Sequence, residues 1–428
     1  MKMKMSIIAL FVIAVLIFPL GFGAVFGETI VNSKETEASH EAPENLNEVI
    51  LIEGEAVMSP YALPKDEFYD EQWQAKMVKA EFAWDMETYG NEVNVGVIDT
   101  GCNQHKDINL AGGYNFILNN DDYSDNHGHG THVAGIISAQ HNEIGIAGIS
   151  PKVNIYALKC VDPYYSSGVE TLADAIIGAV DKFDCKVISM SLGVLKDNNN
   201  KDLYKAVKYA TSKGAIIIAA VGNDGNKPSY KSQVYYPAGF DEVIGVGSVG
   251  KTKKRSAFSQ QNDSVFVVAP GESYKSTSGV SGYRVLEGTS QAAPIVAASA
   301  AILLSIDSDM TAEEFKSYII NYSEPIDDDY CGYGLLDIKE MFKGLIKNTD
   351  YYISPINGDG VLVYNNTENT LAATGIFAEY EGGKYASGNM ENITLLPDEK
   401  IKLSYINTEG KTKFFLWDSI KNMKPLVN

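Results

Sequence analysis

Three short segments carry residue types suited to acyl transfer. Val95-Gly96-Val97-Ile98-Asp99-Thr100-Gly101 places a carboxylate at the end of an apolar run. His127-Gly128-His129-Gly130-Thr131-His132-Val133-Ala134-Gly135 sets imidazoles before a small-residue helical stretch, where little bulk crowds a general base. Gly288-Thr289-Ser290-Gln291-Ala292-Ala293-Pro294 opens an alanine-rich helical stretch. A serine there lies near backbone N–H groups and the positive end of the helix dipole, both of which stabilise developing negative charge. Each segment also has an ordinary structural reading. Aspartate at a strand end caps turns, and serine before a helix is a common N-cap. Three of the six histidines fall within six positions, which raises metal binding. Their spacing is not HExxH and no matching carboxylate or cysteine set accompanies them, so metal catalysis is set aside. The conjunction decides: Asp, His and Ser, each at a strand end or helix start, suit an orienting carboxylate, a general base and a nucleophile.

Such residues need a scaffold. Short, β-branched runs at Val93–Ile98, Ile155–Val161, Val187–Met190, Ala215–Val221, Val243–Val249 and Val265–Val268 are apolar on both faces, as strands covered on both sides are. Helical spacing separates them at Thr131–Ala139, Leu172–Phe183, Leu203–Ser212 and Ser290–Ser305, with Lys213-Gly214 as a helix stop. Alternation of strand and helix predicts an α/β fold, a doubly wound parallel sheet with helices on both faces, whose site gathers at the carboxyl ends of strands. After about Thr349 the pattern becomes short strands (Val361–Tyr364, Leu371–Tyr380, Ile393–Leu396, Ile401–Tyr405 and Thr412–Trp417) joined by Asn/Gly/Asp-rich turns. That predicts a β-sandwich-like accessory module over 350–428, in which Phe414-Phe415-Leu416-Trp417 is core rather than a ligand platform.

Bulk properties narrow the context. The chain has 428 residues and a formal charge of −20, which argues against nucleic acid or an anionic membrane as partner. Lys2 and Lys4 precede an apolar run from Ile7 to Phe26, the layout of an export signal over 1–27 with cleavage after Gly27; a retained anchor is the alternative. Either way the body of the chain is expected outside the cytosol. Residues 28–62 begin as an acidic, disordered segment, with six glutamates against one lysine over 28–48, and include Val49–Ile52 as a short apolar stretch. Cys102, Cys160, Cys185 and Cys331 show no CxxC pattern and read as buried free thiols.

The three motifs together resemble the subtilases, the subtilisin-type serine proteases, over about Leu63 to Met341, so 63–346 is expected to be a catalytic domain. The resemblance implies a secreted endopeptidase. It assigns Ser290 as nucleophile, His129 (not His132) as base and Asp99 as its orienting partner, in an order unlike the Ser–Asp–His order of GxSxG esterases. His127 has no role assigned by it. Ala219-Ala220-Val221-Gly222-Asn223 resembles the oxyanion segment, with Asn223 as donor. Ser191-Leu192-Gly193 and Ser166-Ser167-Gly168 resemble the two edges between which an extended protein or peptide substrate pairs as a strand. Ala219, Ala220 and Gly222 would line a wall of the P1 pocket, small enough to suggest a roomy one for large apolar residues. The loop Gln140-His141-Asn142-Glu143-Ile144-Gly145-Ile146 resembles the family's calcium loop; Asn142, the carbonyls of Gln140, Ile144 and Ile146, and the distal Asp107 and Gln72 are the implied calcium ligands. The enzyme is expected to be a monomer, with cell-surface contact through the C-terminal module. Two departures stand out: Gln291 replaces the oxidisable methionine many relatives carry, and the stretch from Gly27 to Leu63 is too short for a usual folding prodomain.

Overall fold

The computed structural model describes residues 63–162, 168–195, 200–356, 360–381, 384–404, 411–417 and 425–427. The export signal, the acidic segment, the Val49–Ile52 stretch and Ser167 lie outside these. Two compact units meet in sequence between Thr349 and Asp350.

The larger unit is built on strands β1 (Asn94–Asp99), β2 (Leu110–Asn115), β3 (Asn154–Lys159), β4 (Val187–Met190), β6 (Ile216–Ala220), β8 (Ile244–Val249) and β9 (Val267–Pro270). They form one seven-stranded sheet in the order β2-β3-β1-β4-β6-β8-β9, parallel at every pairing. Two-residue β5 (Val194–Leu195) and β7 (Tyr235–Tyr236) pair apart from it, as does the antiparallel hairpin β10 (Tyr274–Ser278) and β11 (Gly282–Leu286). From β1 the chain crosses to β2 at one edge and returns to β3, then runs outward in the other direction from β4 to β9, so order reverses between β1 and β4. A crevice at the carboxyl ends of strands is expected at such a reversal.

The helices are α1 (Trp73–Met77), α2 (Ala80–Asp85), α3 (His129–Ser138), α4 (Val169–Asp181), α5 (Asn200–Ser212), α6 (Thr289–Leu304), α7 (Ala312–Tyr322) and α8 (Ile338–Ile346). α3 packs on α6, and α4 on α5, giving the sheet its two helical layers. The sequence pattern located every parallel strand except β2, whose Leu110-Ala111-Gly112-Gly113-Tyr114-Asn115 has no apolar run; unlike β9 at the other edge, it is only partly covered. α6 is apolar all round since it runs through the core, buried almost throughout. Its Pro294 has no N–H for the Ser290 carbonyl four residues back. Ser191 Oγ takes that carbonyl instead, at 2.8 Å, so no acceptor is stranded.

The second unit holds two antiparallel sheets: β12 (Tyr351–Ile356), β13 (Gly360–Asn365) and β16 (Lys400–Ser404) in one, β15 (Lys384–Leu395), β14 (Leu371–Glu381), β17 (Lys411–Trp417) and β18 (Pro425–Val427) in the other. Residues of both sheets share a core of Val363, Phe377, Ile393, Leu395, Leu403 and Leu416. Leu416 is fully buried and the Phe414 ring lies 4.9 Å from that of Phe377, so these two side chains serve packing.

Candidate active site

β1 ends on Asp99, and α3 begins on His129. Both are buried, and His129 Nδ1 lies 2.7 and 2.9 Å from the two carboxylate oxygens of Asp99. A carboxylate only accepts, so Nδ1 carries the proton and neutral His129 keeps its lone pair on Nε2. Thr100 N–H donates to Asp99 Oδ1 at 2.7 Å, which fixes the carboxylate. The approach of helix to strand requires Gly130, where a Cβ would come within 2.1 Å of Gly101 O. Burial disfavours a charge on His129, but the adjacent Asp99 charge and its hydrogen bond outweigh this, with a smaller contribution from Asp125 against the Arg284 guanidinium. The imidazole pKa is held above the ordinary histidine value.

Asp125 organises this end of α3, a role its position before His127-Gly128-His129 signals in the sequence only weakly. Its Oδ1 accepts from Thr100 Oγ1 (2.9 Å), His127 N–H (3.0 Å) and Gly128 N–H (2.6 Å); its Oδ2 accepts from Thr131 N–H (2.8 Å) and Thr131 Oγ1 (2.7 Å). Burial alone would raise its pKa, yet these donors leave it lowered. The N-cap residue, Gly128, has no side chain; from three residues upstream Asp125 takes the Gly128 and Thr131 N–H groups, and Thr100 Oγ1 takes that of Gly130. Lys159, a lysine closing an apolar strand, donates to Thr100 O (2.9 Å) and Ser124 O (2.6 Å) and ties the two loops together.

Ser290 is the second residue of α6. Its hydroxyl donates to Ser191 O at 3.0 Å, just past β4, so Asp99 and Ser290 meet the sheet on the two strands flanking its reversal point. Asn223 follows β6. Its Oδ1 accepts from Thr289 N–H (2.8 Å) and Thr289 Oγ1 (3.0 Å), which fixes the amide and leaves Nδ2 as the donating side. Thr289, beside the serine, is thus a positioning residue that sequence reasoning passed over. Ala219 and Ala220 are buried, and Gly222, at φ +111°, sits where any side chain would strain the backbone. Leu192 and Gly193 continue from Ser191 toward β5. Gly168 is extended and caps the start of α4.

The remaining histidines and cysteines have structural settings. The His127 ring lies 6.3 Å from that of His129. His132 Nε2 donates to Tyr274 O (3.1 Å) and Arg284 O (3.2 Å), and burial depresses its pKa to about 3, so it stays neutral. All four cysteines are buried thiols.

At the other end of α3, the 140–146 loop meets two aspartates. Asp107 Oδ2 accepts from Tyr283 OH (3.1 Å) and Ile146 N–H (3.2 Å), and Asp66 Oδ1 from Asn142 N–H (3.0 Å). Asp107 Oδ1 and Asp66 Oδ2 are buried without a hydrogen-bond partner. Burial, with Asp66 adding to it, pushes Asp107 up to about 7, and Asp66 is raised for the same first cause. Two buried carboxylates with unmet oxygens fit a hard cation. Among the described residues there is no cluster of three or more His, Cys, Asp or Glu for a metal, so any shell here must draw on amide and carbonyl oxygens. Asn142 belongs to that donor set, with its Oδ1 accepting from Ile144 N–H at 3.1 Å. Gln72 does not join it: its amide clasps Ala147, accepting from its N–H at 2.8 Å and donating to its O at 2.9 Å. The Gln140 side chain turns away to Ser138 O and Pro151 O. Asp66, and not Gln72, brings the second unmet oxygen to the surroundings of Asp107.

A parallel sheet whose order reverses, with Asp99 closing β1 and His129 and Ser290 opening α3 and α6, defines a subtilisin-like α/β domain. Comparison with known proteins agrees: the subtilase family's sequence profile matches residues 90–334. The chain belongs to the subtilase family of serine endopeptidases. It is 37% identical over 275 residues to the minor extracellular protease Epr of Bacillus subtilis (strain 168), covering 63% of this chain and 41% of that protein. It is 35% identical to subtilisin DY of Bacillus licheniformis over 268 residues, covering 61% of this chain and 95% of that protein. A solved protease from Pseudoalteromonas arctica PAMC 21717 superposes with a TM-score of 0.59 at 26% identity, over 66% of this chain and 99% of that one. Among the described residues no helix is long and apolar enough to cross a membrane.

Proposed function

We propose that this chain is a secreted serine endopeptidase in which Ser290, His129 and Asp99 hydrolyse peptide bonds through an acyl-enzyme. The observation that carries the reading is the buried Asp99–His129 pair, with Nδ1 at 2.7 Å from the carboxylate. It leaves Nε2 as the basic atom in the tautomer that proton abstraction needs. The Ser290 hydroxyl turns from Ser191 O to His129 Nε2 and gives up its proton as Oγ attacks the scissile carbonyl. Asp99 stabilises the imidazolium so formed. Asn223 Nδ2 and the Ser290 N–H receive the oxyanion; the amide is fixed beforehand by Thr289, so little reorganisation accompanies the step. His129 then protonates the leaving amine, and water, activated by the same imidazole, releases the acyl group.

Substrate lies extended between Ser191-Leu192-Gly193 and Gly168, with Ala219, Ala220 and Gly222 beside the P1 residue. Asp66, Asp107, Asn142 and the carbonyls of Gln140, Ile144 and Ile146 would hold calcium. The ion when bound supplies charge neutralisation for the buried carboxylates and braces the loop. Residues 1–27 direct export, and the C-terminal module contacts the cell surface while the protease acts as a monomer. A fluorophosphonate probe tests the central claim: wild type is labelled on Ser290 and Ser290→Ala is not. Equal labelling of both proteins sinks the assignment.

A further inference from the structure

The two backbone edges read as bordering the P1 residue share one neighbour. A Cβ placed on Gly222 would lie 2.7 and 3.0 Å from Cδ2 and Cε2 of Tyr235, and one on Gly193 would lie 3.0 Å from Tyr235 Cβ. The tyrosine therefore reaches from the segment after β4 to the segment after β6, across the space between them. Its backbone is fixed by pairing of β7 with β5, Leu195 opposite Tyr235 and Val194 opposite Tyr236. The ring is tethered at its far end as well. Tyr235 OH donates to Asp224 Oδ2, and Asp224 Oδ1 pairs with Lys227 Nζ at 2.5 Å. Asp224 N–H donates to Gln260 Oε1 at 2.9 Å, and Gln260 Nε2 is held by Tyr230 O (2.9 Å) and Gln233 O (2.7 Å). Backbone, ring and hydroxyl are each anchored, so the ring is a fixture of the crevice.

We propose that Tyr235 fills the floor of the P1 crevice and restricts cleavage to bonds that follow small residues, glycine, alanine or serine. This deepens the protease reading above and rests on it. The small walls of Ala219, Ala220 and Gly222, which by themselves suggest room for a large apolar side chain, serve here to admit the tyrosine ring. A leucine or phenylalanine at P1 meets occupied volume, and its rejection is a steric matter for which losses of 10-fold to 200-fold per misfit group are typical.

The test uses the full chain and a series of tetrapeptide anilides that differ only at P1, with active sites counted by fluorophosphonate labelling. Wild type is expected to cleave the P1-alanine substrate at least 10-fold better, in kcat/KM, than the P1-phenylalanine one. Tyr235→Gly is expected to raise kcat/KM for phenylalanine by 10-fold or more, while Tyr235→Phe, which keeps the ring, retains the alanine preference. If Tyr235→Gly does not fold, Tyr235→Ala, which also removes the ring, is expected to move the profile the same way. Labelled wild-type enzyme that cleaves after phenylalanine as well as after alanine overturns the role of Tyr235 and leaves the protease reading standing. Absence of both labelling and cleavage of every substrate overturns the two together.

Discussion

Helix α3 has a buried aspartate at each end, and the two live in opposite circumstances. At its start Asp125 accepts five hydrogen bonds from N–H and O–H donors, and its pKa is lowered. Near its end Asp107 accepts from Tyr283 and Ile146 but keeps one buried oxygen unmet, shares its surroundings with Asp66, and is pushed up to about 7. The helix dipole adds to the contrast, favouring an anion at the start and disfavouring one at the end. A saturated carboxylate is a structural part; a starved one is a site that calls for a cation. The saturated end is also where His129 stands. A base that must hold one orientation is placed on the end of the helix whose buried carboxylate is fully hydrogen-bonded.

Removing a carboxylate from the saturated end is expected to do the most damage. Asp99→Asn keeps the shape but lets an amide N–H donate to Nδ1, which favours the wrong tautomer of His129, and kcat is expected to fall on the order of 10⁴-fold. A loss under tenfold in single-turnover measurements would mean that Asp99 does not orient the base. Asp125→Ala strands several buried donors at once and is expected to cost about 3 kcal/mol or more in urea unfolding. If it unfolds like wild type, saturation is not what stabilises this end. The starved end is expected to respond with opposite signs in two conditions. In calcium-free buffer Asp107→Asn removes an uncompensated buried charge and raises Tm. With calcium at about a hundred times its Kd, wild type gains about 2.7 kcal/mol and the variant lacks that gain. The same sign of change in both buffers would remove the cation from the account.

The sequence made the parallel sheet legible because six of its strands are continuous apolar runs, and it made Asp99, His129 and Ser290 legible because each sits in a run of small residues at an element's end. What it hid depends on contacts across the fold. Asp66 lies 41 positions from Asp107 and Gln72 only six from Asp66, so nothing local says which of them faces the loop. Gln72, read as a ligand, is a backbone clasp. Tyr235 comes from a two-residue strand far from the motifs, and its ring reverses the meaning of the small walls it packs on. The hairpin of β10 and β11 escaped because Tyr274–Ser278 and Gly282–Leu286 do not alternate cleanly, yet it brings Arg284 to the catalytic end.

Arg284 gives the smallest of these effects. The acid limb of kcat/KM reports protonation of His129 in the free enzyme, since only the neutral imidazole accepts the Ser290 proton. With the pKa of His129 raised, activity is expected to be lost as pH falls through a midpoint above the ordinary value of about 6.5. Asp125 raises that pKa and Arg284 lowers it. Arg284→Gln should therefore move the limb to higher pH and Asp125→Asn to lower pH, each by a fraction of a unit. Added salt should shrink the Arg284 displacement more than the Asp125 one, because Arg284 is only partly buried and its field is screened, whereas Asp125 is buried. Displacements of the same sign in the two variants would show that their effect on His129 runs through structure and not through charge.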